Sequence, residues 1–480
     1  MYKAVIGLEV HCQLDTKSKN FSSSPNQFTE TPNIHVSTVD LGLPGILPCP
    51  NKEAIRKALK TAMALHCENP DEVLFDRKNY FYPDLPKGYQ ITQVTKPMGR
   101  NGYLDIMVGK EKKHVLIHQL HLEEDTASLD HFSNYSLIDY NRSGTPLIEI
   151  VTEPCISSAD EAVTFLEDLR DVFLFLGVSE ARSNYGQMRC DVNISVMKDT
   201  DTEFGTKVEM KNINAFTNVR AAIEYEIKRQ TELLESGGKV VQETRRIAED
   251  GKTYSMREKV DAIDYKYFVE PNIPPVKLSK EFYDELRSEI PELKLERYEK
   301  YIEKYHLSEY DAGVLSAKRD ISDYFEEVLS YGSDVELTVN FVTSAILSTI
   351  KKLEIEIKDL FITPKMLSGV IDKVKNKEIS LDHGKKILYQ AMEKSEDPNE
   401  IIKKQHLHQI NDKEELIKVI REVMDENVSQ VRQYIDEGNT YVYNFFVGKV
   451  MQKTNRQANP NMSLDIIKEE LERRKNDESK

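Results

Sequence analysis

The chain has 480 residues and a mean hydropathy of −0.52, with 39% hydrophobic and 30% charged residues, a composition typical of a soluble protein with a sizeable apolar core. It contains no run of roughly 18 apolar residues, as a membrane helix requires, and no basic-then-apolar leader at its start. A net charge of −16 excludes binding of nucleic acid through bulk positive charge, so any contact with RNA has to be a local patch.

The five cysteines lie far apart and form no C-x-x-C pair, which argues against a disulfide framework or a zinc knuckle. Free thiols are typical of a reducing compartment. The sequence therefore predicts a cytoplasmic protein that makes no contact with a membrane.

Polar and apolar residues alternate in four segments of the N-terminal part, and a period of two indicates strands with one buried face. In the first segment, Ala4–Leu14, the polar face carries Glu9 and His11. The other three segments are Val115–Asp125, Met188–Val196 and Thr206–Asn212. A capping box at Ser158–Glu161 predicts a core helix that ends at Gly177.

Two interpretations of the polar faces remain open. An antiparallel sheet often has one solvated face. Alternatively, the carboxylates of these strands converge on one surface, where oxygen ligands suit Mg²⁺ and the phosphates that it bridges. The chain has neither a G-x-x-x-x-G-K-[ST] loop nor a G-x-G-x-x-G after a strand, so ATP, if used, would be bound by sheet carboxylates and basic side chains.

Cations interleaved with aromatic rings between residues 75 and 91 suit ATP or the terminal adenosine of a tRNA. The candidates are Arg77, Lys78, Tyr82 and Lys87. An aromatic core with surface lysines is the alternative. Arg142, in the turn Asn141–Gly144, offers a cation to phosphate, and a plain turn explains that segment equally well.

Proline usage divides the chain, because fifteen of its eighteen prolines lie at or before Pro291. This distribution predicts an irregular α/β part followed by a helical part, and we predict domains at 1–290, 291–405 and 406–480. In the last domain, Lys449 and Lys453 share a helix face, with Arg456 close beyond. These three cations predict contacts with tRNA phosphates, and a solvated helix face is the alternative.

Longer motifs follow one another in order through nearly the whole chain. They are Val5–His11, Leu41–Gly45, Phe75–Ile91, His121–Asp125, Asn141–Gly144, Met188–Asp191, Glu209–Asn212, Gln242–Arg246, Lys252–Arg257, Asp264–Phe268 and Ala458–Pro460. On these motifs the chain resembles the B subunit of the aspartyl/glutamyl-tRNA amidotransferase of bacterial and organellar type.

The resemblance implies an α+β fold, in which a glutamine-synthetase-like sheet cradle is followed by an all-helical domain and a helical, YqeY-like tRNA-binding tail. It implies a ligase that phosphorylates the side-chain carboxylate of Glu-tRNA(Gln), Asp-tRNA(Asn) or both with ATP. Ammonia from a glutaminase subunit then forms the amide. The implied assembly is a heterotrimer, in which the partners are an amidase-type glutaminase, known as the A subunit, together with a small C subunit.

The resemblance also implies ATP and Mg²⁺ as cofactors. The implied catalytic metal ligands are Glu9, His11, Glu124 and Glu209. Asp191 and Asn193 would lie nearby as metal or water ligands. A strict period of two places Glu123, and not Glu124, on the same face as His121, so which glutamate faces the metal stays open.

The chain departs from the family pattern at several positions. Where the family often carries four zinc-binding cysteines, this chain has Ser22, Ser24, Ser37 and Asp40. No zinc is therefore expected. Asn184 and Tyr185 stand where two acidic residues are usual, and Arg456 stands where a glycine is usual. The alternative function is thus a tRNA-binding scaffold or a specialised paralogue with impaired catalysis.

Overall fold

The computed structural model describes residues 2–213, 215–248, 250–258, 264–405, 412–454 and 457–478. The chain forms two compact units, Met1–Glu296 and Arg297–Lys480. The predicted division after residue 290 lies a few residues before the boundary between these units.

Strands dominate the first unit. They are β1 (Tyr2–Gln13), β2 (Glu72–Val73), β3 (Asp76–Asn79), β4 (Tyr89–Thr92), β5 (Gly99–Val108), β6 (Glu111–Glu124), β7 (Ser128–His131), β8 (Ser136–Asp139), β9 (Pro146–Thr152), β10 (Met188–Lys198), β11 (Val208–Ile213), β12 (Glu243–Ile247), β13 (Thr253–Glu258), β14 (Phe268–Val269) and β15 (Val276–Lys277). Its helices are α1 (Lys52–Ala64), α2 (Ala159–Leu176), α3 (Phe216–Glu235) and α4 (Lys280–Ser288), and a 3₁₀ turn lies at Ser183–Tyr185.

One large sheet organises the first unit. Its strand order is β13-β12-β11-β10-β1-β9-β6-β5, in which β11 and β12 pair in parallel and the other neighbours are antiparallel. Helices α1, α2 and α3 pack on its apolar face, where Ile6, Leu8 and Val10 of β1 are fully buried. Polar side chains of the same strands lie on the opposite face. Smaller sheets have the orders β14-β3-β4, β15-β2 and β7-β8.

The predicted elements of this unit are present. The four alternating segments form β1, β6, β10 and β11, and the predicted α+β class is confirmed. The predicted capping box also forms, because Ser158 Oγ accepts a hydrogen bond of 3.1 Å from the Glu161 N–H. Gly177 ends α2 at a φ of 64°, in the left-handed region that favours glycine.

The second unit is helical, and its first helix crosses the boundary between the units. Its helices are α5 (Lys294–Tyr305), α6 (Glu309–Ser316), α7 (Arg319–Ser330), α8 (Val335–Phe341), α9 (Leu347–Leu353), α10 (Pro364–Lys375), α11 (Leu381–Lys394), α12 (Pro398–Gln405), α13 (Lys413–Glu426), α14 (Val428–Glu437), α15 (Val442–Lys453) and α16 (Pro460–Glu478). A π-helical turn, Val342–Ile346, joins α8 to α9, and a 3₁₀ turn lies at Ile357–Asp359.

Two separate apolar cores lie within these helices. Helices α5 to α12 surround one core, which includes Tyr301, Phe325 and Phe341. Helices α13 to α16 enclose the other, which includes Leu416 and Phe446. The predicted boundary after residue 405 borders residues 406–411, which lie outside the described residues. Among the helices that the structure describes, none is long and apolar enough to cross a membrane.

Candidate active site on the polar face of the sheet

A row of ionisable side chains crosses the polar face on three neighbouring strands. His11 of β1 lies opposite Glu149 of β9, and Glu149 lies opposite His121 of β6. Residues that are directly opposite in an antiparallel pair project from the same face of the sheet. Backbone pairing at the centre of a large sheet therefore fixes the order and spacing of this row.

Glu149 is shared by two groups of side chains. His11 Nε2 lies 3.3 Å from Glu149 Oε2 and 3.7 Å from Glu9 Oε1. On the other side of the same carboxylate, His121 Nε2 lies 3.2 Å from Glu149 Oε2 and 3.6 Å from Glu123 Oε2. In each group, one ligand atom per residue lies within 4.8 Å of the others. We call these five residues the carboxylate–histidine cluster.

Burial and neighbouring charges shift the pKa values of the side chains in this cluster. Desolvation, followed by the charge of Glu149, raises the pKa of Glu9 to about 7. Burial by itself lowers the pKa of an imidazole, but the hydrogen bond to Glu149 and the nearby negative charges raise the pKa of His11 to about 9. The same competition raises the pKa of His121 to about 10. Positive charge therefore stabilises these carboxylates, whether protonated imidazoles or a divalent cation supply it.

A second acidic group adjoins Glu9. Asp191 of β10 lies opposite Glu9 in the sheet, and Asn193 of β10 lies opposite Glu209 of β11. Lys211 Nζ lies 3.3 Å from Asp191 Oδ2 and 3.2 Å from Glu209 Oε1, so one ammonium bridges the two carboxylates. The Oδ1 atom of Asn193 is buried and has no hydrogen-bond partner among the described residues. An unpaired buried acceptor beside carboxylates suits a bound cation or its water.

The adjacent residues Glu123 and Glu124 make different contacts. Glu123 lies in the cluster beside His121. The carboxylate of Glu124 is instead paired with the Lys87 ammonium and accepts a hydrogen bond of 2.9 Å from the Ile91 N–H. The structure thus brings Glu123, and not Glu124, to the row of histidines. Glu124 could join a metal site there only after its salt bridge to Lys87 breaks.

Lys78 is the predicted ATP-binding residue that the structure places near the cluster. Its ammonium lies 4.9 Å from the ring centroid of Tyr265 and 5.9 Å from that of Tyr80. No carboxylate of the described residues lies within 4 Å of it. Burial lowers the pKa of Lys78, but the charges of Glu123 and Glu149 outweigh burial and raise it. This half-buried ammonium is therefore available to a further anion.

Three other predicted ATP-binding residues make their contacts outside the cluster. Arg77 donates from Nε and Nη2 to both carboxylate oxygens of Glu270. Arg142 donates two hydrogen bonds of 2.8 Å to the backbone carbonyls of Thr126–Ala127. Tyr82 is half exposed in an open surface depression. Their predicted contacts with ATP stay predictions.

Asp40 accepts hydrogen bonds from the serines that stand at the expected zinc-ligand positions. Ser22 Oγ donates at 2.8 Å, Ser24 Oγ at 2.5 Å, and Ser37 donates from both N and Oγ, at 2.8 and 3.0 Å. The fully buried Lys19 ammonium lies 3.5 Å from Asp40 Oδ2. A carboxylate, three hydroxyls and an ammonium thus cross-link this loop. An ammonium at this place disfavours a cation.

The sequence prediction missed Glu149, and it gave no role to His121 or Lys211. Glu149 is the single carboxylate in the apolar strand β9, with the sequence PLIEIVT. A lone charge in a short apolar strand is a signal that could have been used. Its place between β1 and β6, however, depends on the strand order.

The cations predicted to bind tRNA differ in their surroundings. Lys453 Nζ lies 2.7 Å from Glu426 Oε1 and 3.0 Å from Glu422 Oε2, so two carboxylates neutralise it. Lys449, one turn earlier on α15, is exposed, and no carboxylate of the described residues lies within 4 Å of its ammonium. Arg456 lies outside the described residues.

Comparison with known proteins gives one consistent result. Residues 4–284 match the family model described as the GatB/GatE catalytic domain, and residues 323–471 match the GatB domain. The B subunit of the aspartyl/glutamyl-tRNA(Asn/Gln) amidotransferase of Geobacillus kaustophilus is 44% identical over 475 residues, which cover 98% of this chain and 100% of the relative. The proteins of the same name from Staphylococcus saprophyticus and Persephonella marina are 44% and 43% identical, over 98% of this chain and 100% and 99% of the relatives. The resemblance seen in the sequence is confirmed, and the chain belongs to the family of aspartyl/glutamyl-tRNA(Asn/Gln) amidotransferase B subunits.

Proposed function

We propose that this chain is the ATP-dependent B subunit of a glutamine-hydrolysing tRNA amidotransferase. It phosphorylates the side-chain carboxylate of Glu-tRNA(Gln), Asp-tRNA(Asn) or both, and the phosphate is then displaced by ammonia. The observation that carries the proposal is the carboxylate–histidine cluster, on the polar face of a sheet in a chain whose full-length relatives are named for this amidation.

The donor set of the cluster fits Mg²⁺. Carboxylate oxygens are hard ligands that Mg²⁺ prefers, and the raised pKa of Glu9 indicates a group that gains from a nearby cation. Glu9, His11 and Glu149 would hold the ion, with Glu209, Asp191 and Asn193 next to them. When bound, Mg²⁺ neutralises charge on the phosphates of ATP.

The chemistry consists of two displacements. An oxygen of the substrate carboxylate attacks the γ-phosphorus of ATP, the bond to the β,γ-bridging oxygen breaks, and ADP leaves. The nitrogen of ammonia then attacks the acyl carbon, phosphate leaves, and the nitrogen loses a proton to give the amide. Positive groups that face the developing phosphate charge account for most of the catalysis.

Three cations of this chain lie in or near the acidic residues of the site, namely Lys78, Arg189 and Lys211. We propose that Lys78, whose ammonium no described carboxylate approaches within 4 Å, binds the transferred phosphoryl group. Arg189 lies opposite His11 and donates to Asp125 at 2.9 Å, which holds its guanidinium at the edge of the cluster. Lys211 holds Asp191 and Glu209 in place.

Ammonia has to come from a partner. Cys12 lies on the apolar face of β1, where burial raises the pKa of its thiol to about 12, so it cannot act as a glutaminase nucleophile. We propose that an amidase-type glutaminase, the A subunit in this family, is the source, and that a small C subunit is the third member of a cytoplasmic complex. The charged tRNA would contact Lys449, Lys453 and Arg456 of the tail.

The direct test is amidation by the complex reconstituted from this chain, the glutaminase and the small third subunit. Each charged tRNA is supplied separately with ATP, Mg²⁺ and glutamine, and the amino acid released from the tRNA is identified. The proposal predicts ATP-dependent formation of Gln-tRNA(Gln), Asn-tRNA(Asn) or both. Hydrolysis of glutamine without an amidated product from either tRNA would refute it.

A further inference from the structure

A separate cavity opens on the polar face beyond the end of the carboxylate–histidine cluster. Its volume is about 410 Å³, within the size range of small-ligand sites, and it lies wholly within the first unit. Its lining includes Gln13 of β1, the aromatic residues Phe28 and Tyr185, and the cations Arg142 and Arg182.

The cavity is close to the site of the proposed chemistry. Gln13 lines it and follows His11 by two residues on the same face of β1, a step of about 7 Å along a strand. Gln13 Nε2 donates to Asp125 Oδ2 at 2.9 Å, and Arg189 Nη2 donates to the same atom at 2.9 Å. Asp125 therefore links Gln13 of the cavity to Arg189, which lies opposite His11 of the cluster.

Two exposed aromatic rings stand at the cavity. Phe28 is 79% exposed and Tyr185 is 56% exposed, and their ring centroids are 5.7 Å apart at an interplanar angle of 64°. The guanidinium of Arg182 lies 5.8 Å from the Tyr185 ring centroid. Rings left in water beside a cation form the kind of surface on which nucleic-acid bases stack.

Hydrogen bonds fix the backbone on either side of these rings. Tyr185 ends the 3₁₀ turn Ser183–Tyr185, and the Arg182 N–H donates to Gln187 Oε1 at 2.9 Å across that turn. Asn26, two residues before Phe28, donates from Nδ2 to the Leu14 carbonyl at 3.0 Å. The segment that carries Phe28 is therefore hydrogen-bonded to the residue that follows β1.

The charges of the lining favour a nucleoside over a bare polyphosphate. Arg142 and Arg182 are accompanied in the lining by three carboxylates, Asp15, Asp139 and Glu180. Such a lining does not concentrate anions, but it offers donors and acceptors to a base and a ribose.

We propose that this cavity binds an adenosine nucleoside, whose base stacks on the Tyr185 ring and contacts the inclined Phe28 ring at its edge. The identity of the base rests on the proposed function, because both substrates of that reaction present an adenosine. One is the adenosine of ATP, and the other is the 3′-terminal adenosine that carries the amino acid. Either would reach the carboxylate–histidine cluster along the polar face of β1.

Kinetics of the reconstituted complex provide one test. Tyr185→Ala should raise the Michaelis constant for ATP or for charged tRNA by about 5- to 150-fold, the range found for loss of one stacked base, with kcat within twofold. Tyr185→Phe keeps the ring and should recover the Michaelis constant that Tyr185→Ala loses. Tyr310→Ala, which removes an exposed ring outside the lining, should leave both Michaelis constants unchanged. Michaelis constants within twofold for both substrates in Tyr185→Ala would overturn the proposal.

A binding measurement tests the site without turnover. The chain has no tryptophan, so Tyr185→Trp introduces a single reporter whose emission changes when a base stacks on it. The full chain is titrated with ATP, with AMP, with a short RNA ending in CCA, and with the same RNA ending in CC. Tyr310→Trp, at a 76% exposed position of α6, is the matched control.

A saturable change with ATP and AMP identifies the nucleotide as the source, and a change with the CCA end but not the CC end identifies the tRNA. No saturable change with any probe, or an equal change in the Tyr310→Trp control, would overturn the proposal. Because this readout needs neither ammonia nor amidation, its failure is distinguishable from failure of the proposed function.

Discussion

Among single residues, Glu123 and Glu124 show how one step along a strand decides what a carboxylate contacts. Both side chains are almost fully buried. Glu123 lies beside His121 in the cluster. Glu124 instead pairs with Lys87 and accepts a hydrogen bond from the Ile91 N–H. We infer that the first glutamate supports the metal site indirectly, through His121 and Glu149, and that the second stabilises the packing of β4 on β6.

Substitution of each glutamate by glutamine should separate these roles. Glu123→Gln should raise the Mg²⁺ concentration for half-maximal activity about 10- to 100-fold, with little change in the melting temperature. Glu124→Gln leaves the Lys87 ammonium buried without its carboxylate, which costs about 3–5 kcal/mol of the free energy of unfolding. Mg²⁺ titrations and thermal melts measure both effects. Equal changes of Mg²⁺ dependence and stability in the two variants would contradict the distinction.

Asp40 is the second residue with a specific structural role. Burial raises its pKa, but the hydrogen bond from Ser24 and the charge of Lys19 outweigh burial, and the net shift is downward. Because the pKa of Asp40 is lower in the folded protein than in the unfolded chain, the ionised carboxylate stabilises the fold at pH values above its ordinary pKa of about 4. This stabilisation is lost as the pH falls through the pKa of the folded protein.

Asp40→Asn should therefore lower the free energy of unfolding by about 3–5 kcal/mol at neutral pH, since it leaves the buried Lys19 ammonium without a counter-charge. Denaturant unfolding measures the change. Lys19→Met combined with Asp40→Asn should recover much of the loss, because neither charge then remains buried and the asparagine oxygen can still accept hydrogen bonds from the serines. A loss of stability in the double variant equal to the sum of the losses in the two single variants would show that the ion pair is not the cause.

The same contacts predict that the purified protein carries no stoichiometric zinc. The serine hydroxyls donate to Asp40, and neutral hydroxyls do not replace thiolates around a tetrahedral zinc ion. Elemental analysis after dialysis is the measurement. About one zinc per chain would refute the prediction.

At the scale of strands and helices, the alternation of residues predicts single strands and their faces. It does not predict the order of the strands in the sheet. The alternation in Ala4–Leu14 and in Met188–Val196 predicted β1 and β10, and with them the faces of Glu9, His11 and Asp191, because period two is a local property. Glu149 was missed because its role depends on β9 lying between β1 and β6, and residue spacing does not encode strand order. The cavity at Phe28 and Tyr185 likewise joins two segments far apart in the chain.

Helix α15 provides a test of the tail. Lys449→Ala should reduce the slope of log affinity for charged tRNA against log salt by about 0.7–0.9, the change for one lost phosphate contact. Lys453→Ala should change the slope less, since Glu422 and Glu426 already neutralise Lys453. Binding of charged tRNA measured at several salt concentrations decides. An unchanged slope in Lys449→Ala would mean that this face of α15 does not contact tRNA.

For the molecule as a whole, we propose that ATP phosphorylates the carboxylate carried by the tRNA at the carboxylate–histidine cluster. Glu149 contacts both histidines of the cluster, so its substitution tests the whole cluster most directly. Glu153, which follows β9 closely in the chain but is 43% exposed and paired with His118, provides the matched control position.

The decisive measurement is ADP formation in a single turnover by the complex with charged tRNA, ATP and Mg²⁺ but no source of ammonia. We predict a burst of ADP that requires the charged tRNA, about 100-fold slower in Glu149→Gln and unchanged in Glu153→Gln. A burst of equal rate in Glu149→Gln, or ADP formation that does not depend on charged tRNA, would contradict the assignment of this cluster as the active site.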